Sequence, residues 1–380
     1  MMSNVIENYR SDVFSPVKCN TGRQIELDIG KAIPIFCLAF VHCVIECCTD
    51  AQLLHGIPFM FDSIIGGPIS GPMFLFCMGA TVHYSRSFSP REMALRGLKL
   101  WRAGFILNIF RFLIPFLIGW ALTGDVEKYI EPLPFYMFGN DVLQFAGLAM
   151  LVIALFMRLK FPRKVMFAIA LAFSVAGTFL RGTDMGNDVL NIMFGWVIGT
   201  VNEADLIISD FPLLNWLFIP VCGYIFGSVL IHVKNKNRFY TSFAPAMLVI
   251  AVAVMVIECH YRVGCFGDGQ NAYYHLYTYD ALWFPLLTIG LLGTWYGVSS
   301  FLPETILKFF TYTSRHITKF YCIHWVYVRL ITNVLLFVLL GTQIIPLWAV
   351  MLLSLCIVLM TYLSLSVYNG FKARRVRETA

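Results

Sequence analysis

Charge is scarce in this chain. Asp, Glu, Lys and Arg make up only 13% of its 380 residues, against 58% hydrophobic, a balance that excludes both an ordinary soluble domain and a disordered one. No internal repeat, low-complexity tract or appended soluble domain interrupts it. An Asn-x-Ser/Thr acceptor is missing throughout, which weakly disfavours a glycosylated lumenal protein. Residues 1–23 are polar and mixed in charge, without a basic segment followed by a short apolar core, so the first apolar helix is expected to stay in the mature protein. Cysteine is not lacking, at 11 residues, but metal-ligand spacing is: nine cysteines are scattered along apolar stretches or, as Cys19, in the N-terminal segment. Cys259 and Cys265 differ, lying six residues apart in one polar loop, where a disulfide is left open.

What is abundant is apolar length. With a mean hydropathy of +0.73, the chain reads as an all-α, polytopic membrane bundle of ten spans: 31–49, 63–83, 103–123, 137–157, 165–181, 212–232, 241–258, 281–301, 317–340 and 346–368. Lys and Arg set the orientation, because cytoplasmic loops hold their excess. With both termini inside, 23 cations fall on the cytoplasmic side and only Lys128, Arg181 and Arg262 outside. The same asymmetry explains a pI near 8.7 without nucleic acid. The expected organisation is a cytoplasmic segment 1–30, a membrane domain 31–368 and a basic tail 369–380. Between the fifth and sixth spans, the apolar patch from Leu190 to Val201 is too short to cross and reads as interfacial or re-entrant.

The remaining intramembrane polar groups carry the chemistry. His42 sits deep in the first span, where an ionisable side chain is by default a functional hypothesis. Lys31 precedes it by eleven residues, three turns plus about 20°, so the two share one helix face about 16 Å apart. Glu46, one turn beyond, is placed to accept a hydrogen bond from one ring nitrogen and leave the other as a base. A His serving only to bond a neighbouring helix is the competing reading. Arg111 lies about nine residues into the third span with Asn108 a turn before it, and Arg329 lies in the ninth with His324 and Asn333 nearby. Each must face the bundle interior, since a central Arg costs about 2.5–3.5 kcal/mol on insertion scales. Asp141 and Gln144 are candidate partners for Arg111; phosphate or pantetheine binding is the alternative. Arg96, Lys99 and Arg102 are either inner-surface charge or a phosphate-binding mouth. Outside, His260, His275, Asp280 and the tyrosines of 259–280 offer a carbohydrate surface or an aromatic interfacial belt.

These residues resemble a known group. Lys31, ten residues and His42 look like the first transmembrane helix of acyltransferase family 3, although Gly30-Lys31-Ala32 stands where that family has Leu-Arg-Gly. Phe74–Gly79, Arg96–Arg102, Phe211-Pro212-Leu213-Leu214-Asn215-Trp216 and Gly223–Gly227 resemble the related transmembrane acyltransferases that include heparan-alpha-glucosaminide N-acetyltransferase. The resemblance implies a multi-pass plasma-membrane enzyme, as in a bacterial inner membrane. It would move an acyl group, most simply acetyl, from cytosolic acyl-CoA to a hydroxyl or amine of an extracytoplasmic carbohydrate. His42, Lys31 and Glu46 would be catalytic and Lys31, Arg96, Lys99, Arg102 and Arg111 would hold the donor. Asp280, His275 and His260 would bind the acceptor, with no metal; a homodimer is left open. His42 acts either as general base or as a transiently acylated nucleophile. A transporter or exporter of a small organic anion or lipid-linked sugar is the alternative of a different class, since buried Arg, His and Asp suit anion movement as well.

Overall fold

The computed structural model describes residues 2–85, 88–202, 209–267 and 271–378. Among them the regular structure is helical, apart from isolated bridges between Phe14 and Val233 and between Thr183 and Thr200. Ten apolar segments are long enough to cross a membrane: α1 (Ile25–Cys47), α2 (Gly56–Tyr84), α3 (Pro90–Thr123), α4 (Val126–Arg158), α5 (Arg163–Leu180), α6 (Leu213–Leu230), α7 (Lys236–Phe266), α8 (Thr278–Ser299), α9 (Ile317–Leu339) and α10 (Leu347–Lys372). Their number and order are those expected from hydropathy; the ends differ. The first begins six residues early because Gln24, Glu26 and Asp28, although polar, are buried. The helix of α10 continues to Glu378, through most of the expected tail. The apolar patch between α5 and α6 forms a short helix, Asp188–Ile198, capped by the Asn187 side chain and closed by Gly199 at φ 60°.

The chain forms two compact units. Unit 1 comprises 1–31, 71–104 and 139–308; unit 2 comprises 32–70, 105–138 and 309–380. Helices α1, α2 and α3 each contribute to both, and each is irregular near the change. Pro34 interrupts the hydrogen bonding of α1. In α2 the ring of Pro68 disfavours helical geometry in the residue before it, and Gly67 leaves the helix at φ −72°, ψ −109°. In α3 a wide turn runs over Ile109–Leu113.

Unit 1 is held by close backbone approach. A Cβ on Gly223 would lie 2.0 Å from the Phe76 carbonyl oxygen, one on Gly79 2.1 Å from that of Pro220, and one on Gly227 2.2 Å from that of Ala80. The Gly-x-x-x-Gly of α6 thus lets it lie directly on the second half of α2, the arrangement that packs helices where lipid removes the hydrophobic incentive. Phe76, Trp216, Phe218 and Phe284 fill the surrounding core. The N-terminal segment is tied to the turn after α6: Ser15 donates its N–H to the His232 carbonyl at 2.8 Å, and Arg238 pairs with Asp12.

Unit 2 gathers the second part of α1, the end of α3, α9 and α10. Phe36 stacks on Phe309 with ring centroids 4.9 Å apart and meets Phe320 edge-on at 5.3 Å. The hydroxyls of Tyr327 and Ser364 join α9 to α10 at 2.7 Å.

Candidate active site

The sharpest concentration of intramembrane polar groups lies in unit 2 and is built on His42. The α1 helix directs the His42 ring onto the face of Trp325 in α9, centroids 3.8 Å apart. His324, the residue before it, lies nearly parallel to His42 at 5.6 Å. The Nδ1 of His324 is 3.2 Å from the Phe320 carbonyl, which as an acceptor fixes the proton on that nitrogen. The Nε2 of His42 is buried and has no hydrogen-bond partner among the described residues. A polar atom left in that state inside a span is expensive, and an unprotonated imidazole nitrogen there is available to a substrate proton.

Two guanidiniums flank the rings. That of Arg111 lies 4.3 Å from the centre of Phe112 and 4.6 Å from that of Trp325, and it donates to the Asn108 side chain at 3.1 Å, the same-face pairing the sequence indicates. Arg329 approaches the same two rings at 5.1 and 5.4 Å. Its Nη1 pairs with Glu46 at 2.7 Å, and the other Glu46 oxygen accepts from Gln343 at 2.9 Å. Glu46 therefore does not orient His42 as expected from its i+4 position. A full guanidinium charge on α9 competes for the carboxylate and wins over a neutral ring on the same helix.

The other expected site residues are in unit 1. Lys31 is nearly buried and lies 3.7 Å from Asp28, whose carboxylate also binds Arg23. Next to them Glu26, fully buried, pairs with Lys236 at 2.6 Å and accepts from Tyr240 at 3.0 Å. The start of α1 thus carries alternating charge, with Lys31 balanced by a neighbour. On α3, Lys99 and Arg102 are exposed and Arg96 half-buried. His260 packs edge-on against Tyr261 at 4.9 Å. Asp280 is fully buried, and its oxygens accept the backbone N–H groups of Cys265 and Tyr277, each at 2.9 Å. Glu258 lies against it, accepting from Trp283 at 3.0 Å. One donor atom from each of Glu258, Cys265 and Asp280 falls within 4.8 Å of the others; these side chains fasten the loop between α7 and α8. Cys259 and Cys265 are both free thiols. His275 is buried with Nε2 3.1 Å from the Ser209 carbonyl, and burial holds its pKa down at about 4. His260, His275 and Asp280 make no mutual contact that would mark them as one acceptor site.

Sequence reasoning missed Trp325, and it noted Arg329 and His324 as polar groups of the ninth span facing the bundle interior without linking them to His42. The available signal was their grouping in α9, His324-Trp325 followed four residues later by Arg329, in a span otherwise poor in such groups.

A multi-pass membrane protein with a buried imidazole set among rings and guanidiniums is a class that includes membrane-embedded group transferases. The family model for heparan-alpha-glucosaminide N-acetyltransferase, catalytic, matches residues 23–257, and the chain belongs to that family. Membership implies acetyltransferase chemistry and supports the second of the two resemblances drawn from the sequence. The match includes Lys31, His42, Glu46, Arg96, Lys99, Arg102 and Arg111 and ends before α9. No curated protein and no solved structure matches the chain.

Proposed function

We propose that this protein transfers an acetyl group from cytosolic acetyl-CoA to an amine or hydroxyl of a carbohydrate on the opposite side of the membrane, with His42 as general base. The observation that carries the reading is the buried, unpartnered Nε2 of His42 on the face of Trp325. In one step the acceptor nitrogen or oxygen attacks the thioester carbonyl carbon and its proton passes to His42 Nε2. The carbon–sulfur bond then breaks, and the CoA thiolate leaves and takes up the proton. General-base assistance of this kind contributes about 10²- to 10⁴-fold.

Lys31, Arg96, Lys99 and Arg102 are assigned to the phosphates of the donor, and Arg111 to its acyl end, beside the ring it shares with His42. The cationic asymmetry of the loops supports a cytosolic location for the termini and the donor. His260, His275 and Asp280 remain the proposed acceptor side.

The test is purified protein in nanodiscs given radiolabelled acetyl-CoA and oligosaccharides ending in hexosamine. Label should appear on the glycan with one free CoA thiol released per acetyl transferred. Glycan that stays unlabelled, or movement of the glycan across vesicles without acetylation, would overturn the reading in favour of a transporter.

A further inference from the structure

Three buried indoles lie in the described chain, and two have acceptors. Trp216 donates Nε1–H to the Tyr274 carbonyl at 2.6 Å and Trp283 to Glu258 at 3.0 Å. Trp325, 7% exposed, has no acceptor for Nε1–H among the described residues; the half-buried Trp295 of α8 shares that state, but it is Trp325 that lies against His42. In a membrane-spanning helix such a donor is normally satisfied, because nothing else nearby replaces water. The same ring carries His42 on its face at 3.8 Å and lies within 5.4 Å of both guanidinium carbons. Base, in-plane donor and positive charge are therefore fixed by one rigid side chain.

We infer that the Trp325 N–H is a catalytic hydrogen-bond donor to the thioester carbonyl oxygen of the acyl donor. The inference rests on the acetyltransferase reading above and assigns one further residue to it. As the acceptor attacks, the π pair of the C=O bond moves onto oxygen and the indole N–H holds the resulting oxyanion. His42 Nε2 receives the acceptor's proton at the same time. The C=O bond re-forms as the carbon–sulfur bond breaks and the thiolate departs. A donor waiting in a dry site needs no reorganisation when charge develops, which is why such groups act on the transition state more than on the bound substrate.

The test uses the full chain in nanodiscs. Trp325→Phe keeps an aromatic face for His42 and removes the N–H; replacement of Trp325 by benzothienylalanine removes it while keeping the bicyclic shape. Both should lower kcat by about 10²- to 10³-fold, with KM for acetyl-CoA within about threefold of wild type. A kcat within threefold of wild type in the benzothienylalanine protein, or a rise in KM at unchanged kcat, would overturn the assignment. A second readout does not depend on turnover. In a His42→Ala background, the carbon-13 thioester carbonyl of bound acetyl-CoA should show an infrared stretch lowered from its free value, and adding Trp325→Phe should abolish the lowering. An unshifted band with Trp325 present would refute the hydrogen bond. Failure of wild-type protein to acetylate any acceptor would instead count against the acetyltransferase reading, so the two failures are separable.

Discussion

Breaking the Glu46–Arg329 pair separates an electrostatic strut from a catalytic dyad. The charges meet at 2.7 Å with side chains 13% and 15% exposed. Two unit charges with centres about 4 Å apart attract by about 4 kcal/mol at an effective dielectric near 20. Removing one member of a fully buried pair costs about 3–5 kcal/mol, most of it the stranded charge. Partial exposure lowers that, so Glu46→Ala and Arg329→Ala should each destabilise the protein by about 2–3 kcal/mol. The double variant should cost clearly less than their sum, a coupling of about 1–3 kcal/mol. Unfolding midpoints in mixed detergent–lipid micelles, read by tryptophan fluorescence, give the four corners of the cycle. Because Glu46 bonds Arg329 and Gln343 rather than His42, its loss should lower kcat less than tenfold. A coupling below about 0.5 kcal/mol together with a kcat as low as that of a His42 variant would refute this and restore Glu46 as the group orienting the imidazole.

Three further outcomes follow from other parts of the molecule. His275 is buried neutral with a pKa near 4 against an ordinary 6.5, so the unfolded chain binds the extra proton first. Stability should be unaffected above pH 6.5 and fall by up to about 3 kcal/mol as pH drops to 4, and His275→Gln should flatten thermal-melting curves across that window. Gly223→Ala places a methyl 2.0 Å from the Phe76 carbonyl oxygen, whereas Gly297 has open space around it. Overpacking of about 3 kcal/mol should aggregate the first variant on heating, seen by size-exclusion chromatography, and leave Gly297→Ala like wild type. Lys31→Gln should raise KM for acetyl-CoA roughly tenfold, about 1.4 kcal/mol, while Lys31→Arg, which keeps the charge beside Asp28, should be tolerated in the same steady-state assay.

The spans were legible because an apolar run long enough to cross a bilayer leaves few alternatives, and His42, Arg111 and Arg329 stood out as polar groups in such runs. Helix ends were less so, since Glu26 and Asp28 look like surface residues in sequence, whereas Lys236 and Tyr240 come to Glu26 from far along the chain and the neighbouring Arg23 pairs with Asp28. Glu46 was misread for a related reason: spacing within one helix names a neighbour, but a competing guanidinium from α9 is invisible until the helices pack. Trp325 was hidden among the 16% of residues that are aromatic; nothing in a single sequence says which indole lacks an acceptor. Pro34 and the kink at Gly67-Pro68 carried a sequence signal, whereas the division of α1, α2 and α3 between two units did not.

The central claim is that His42 moves the proton and does not hold the donor. His42→Ala in nanodiscs should therefore bind acetyl-CoA with a Kd within about threefold of wild type by calorimetry while transfer of labelled acetyl to the glycan falls by at least about 10²-fold. Wild-type turnover in that variant, or loss of acetyl-CoA binding together with turnover, would contradict the account.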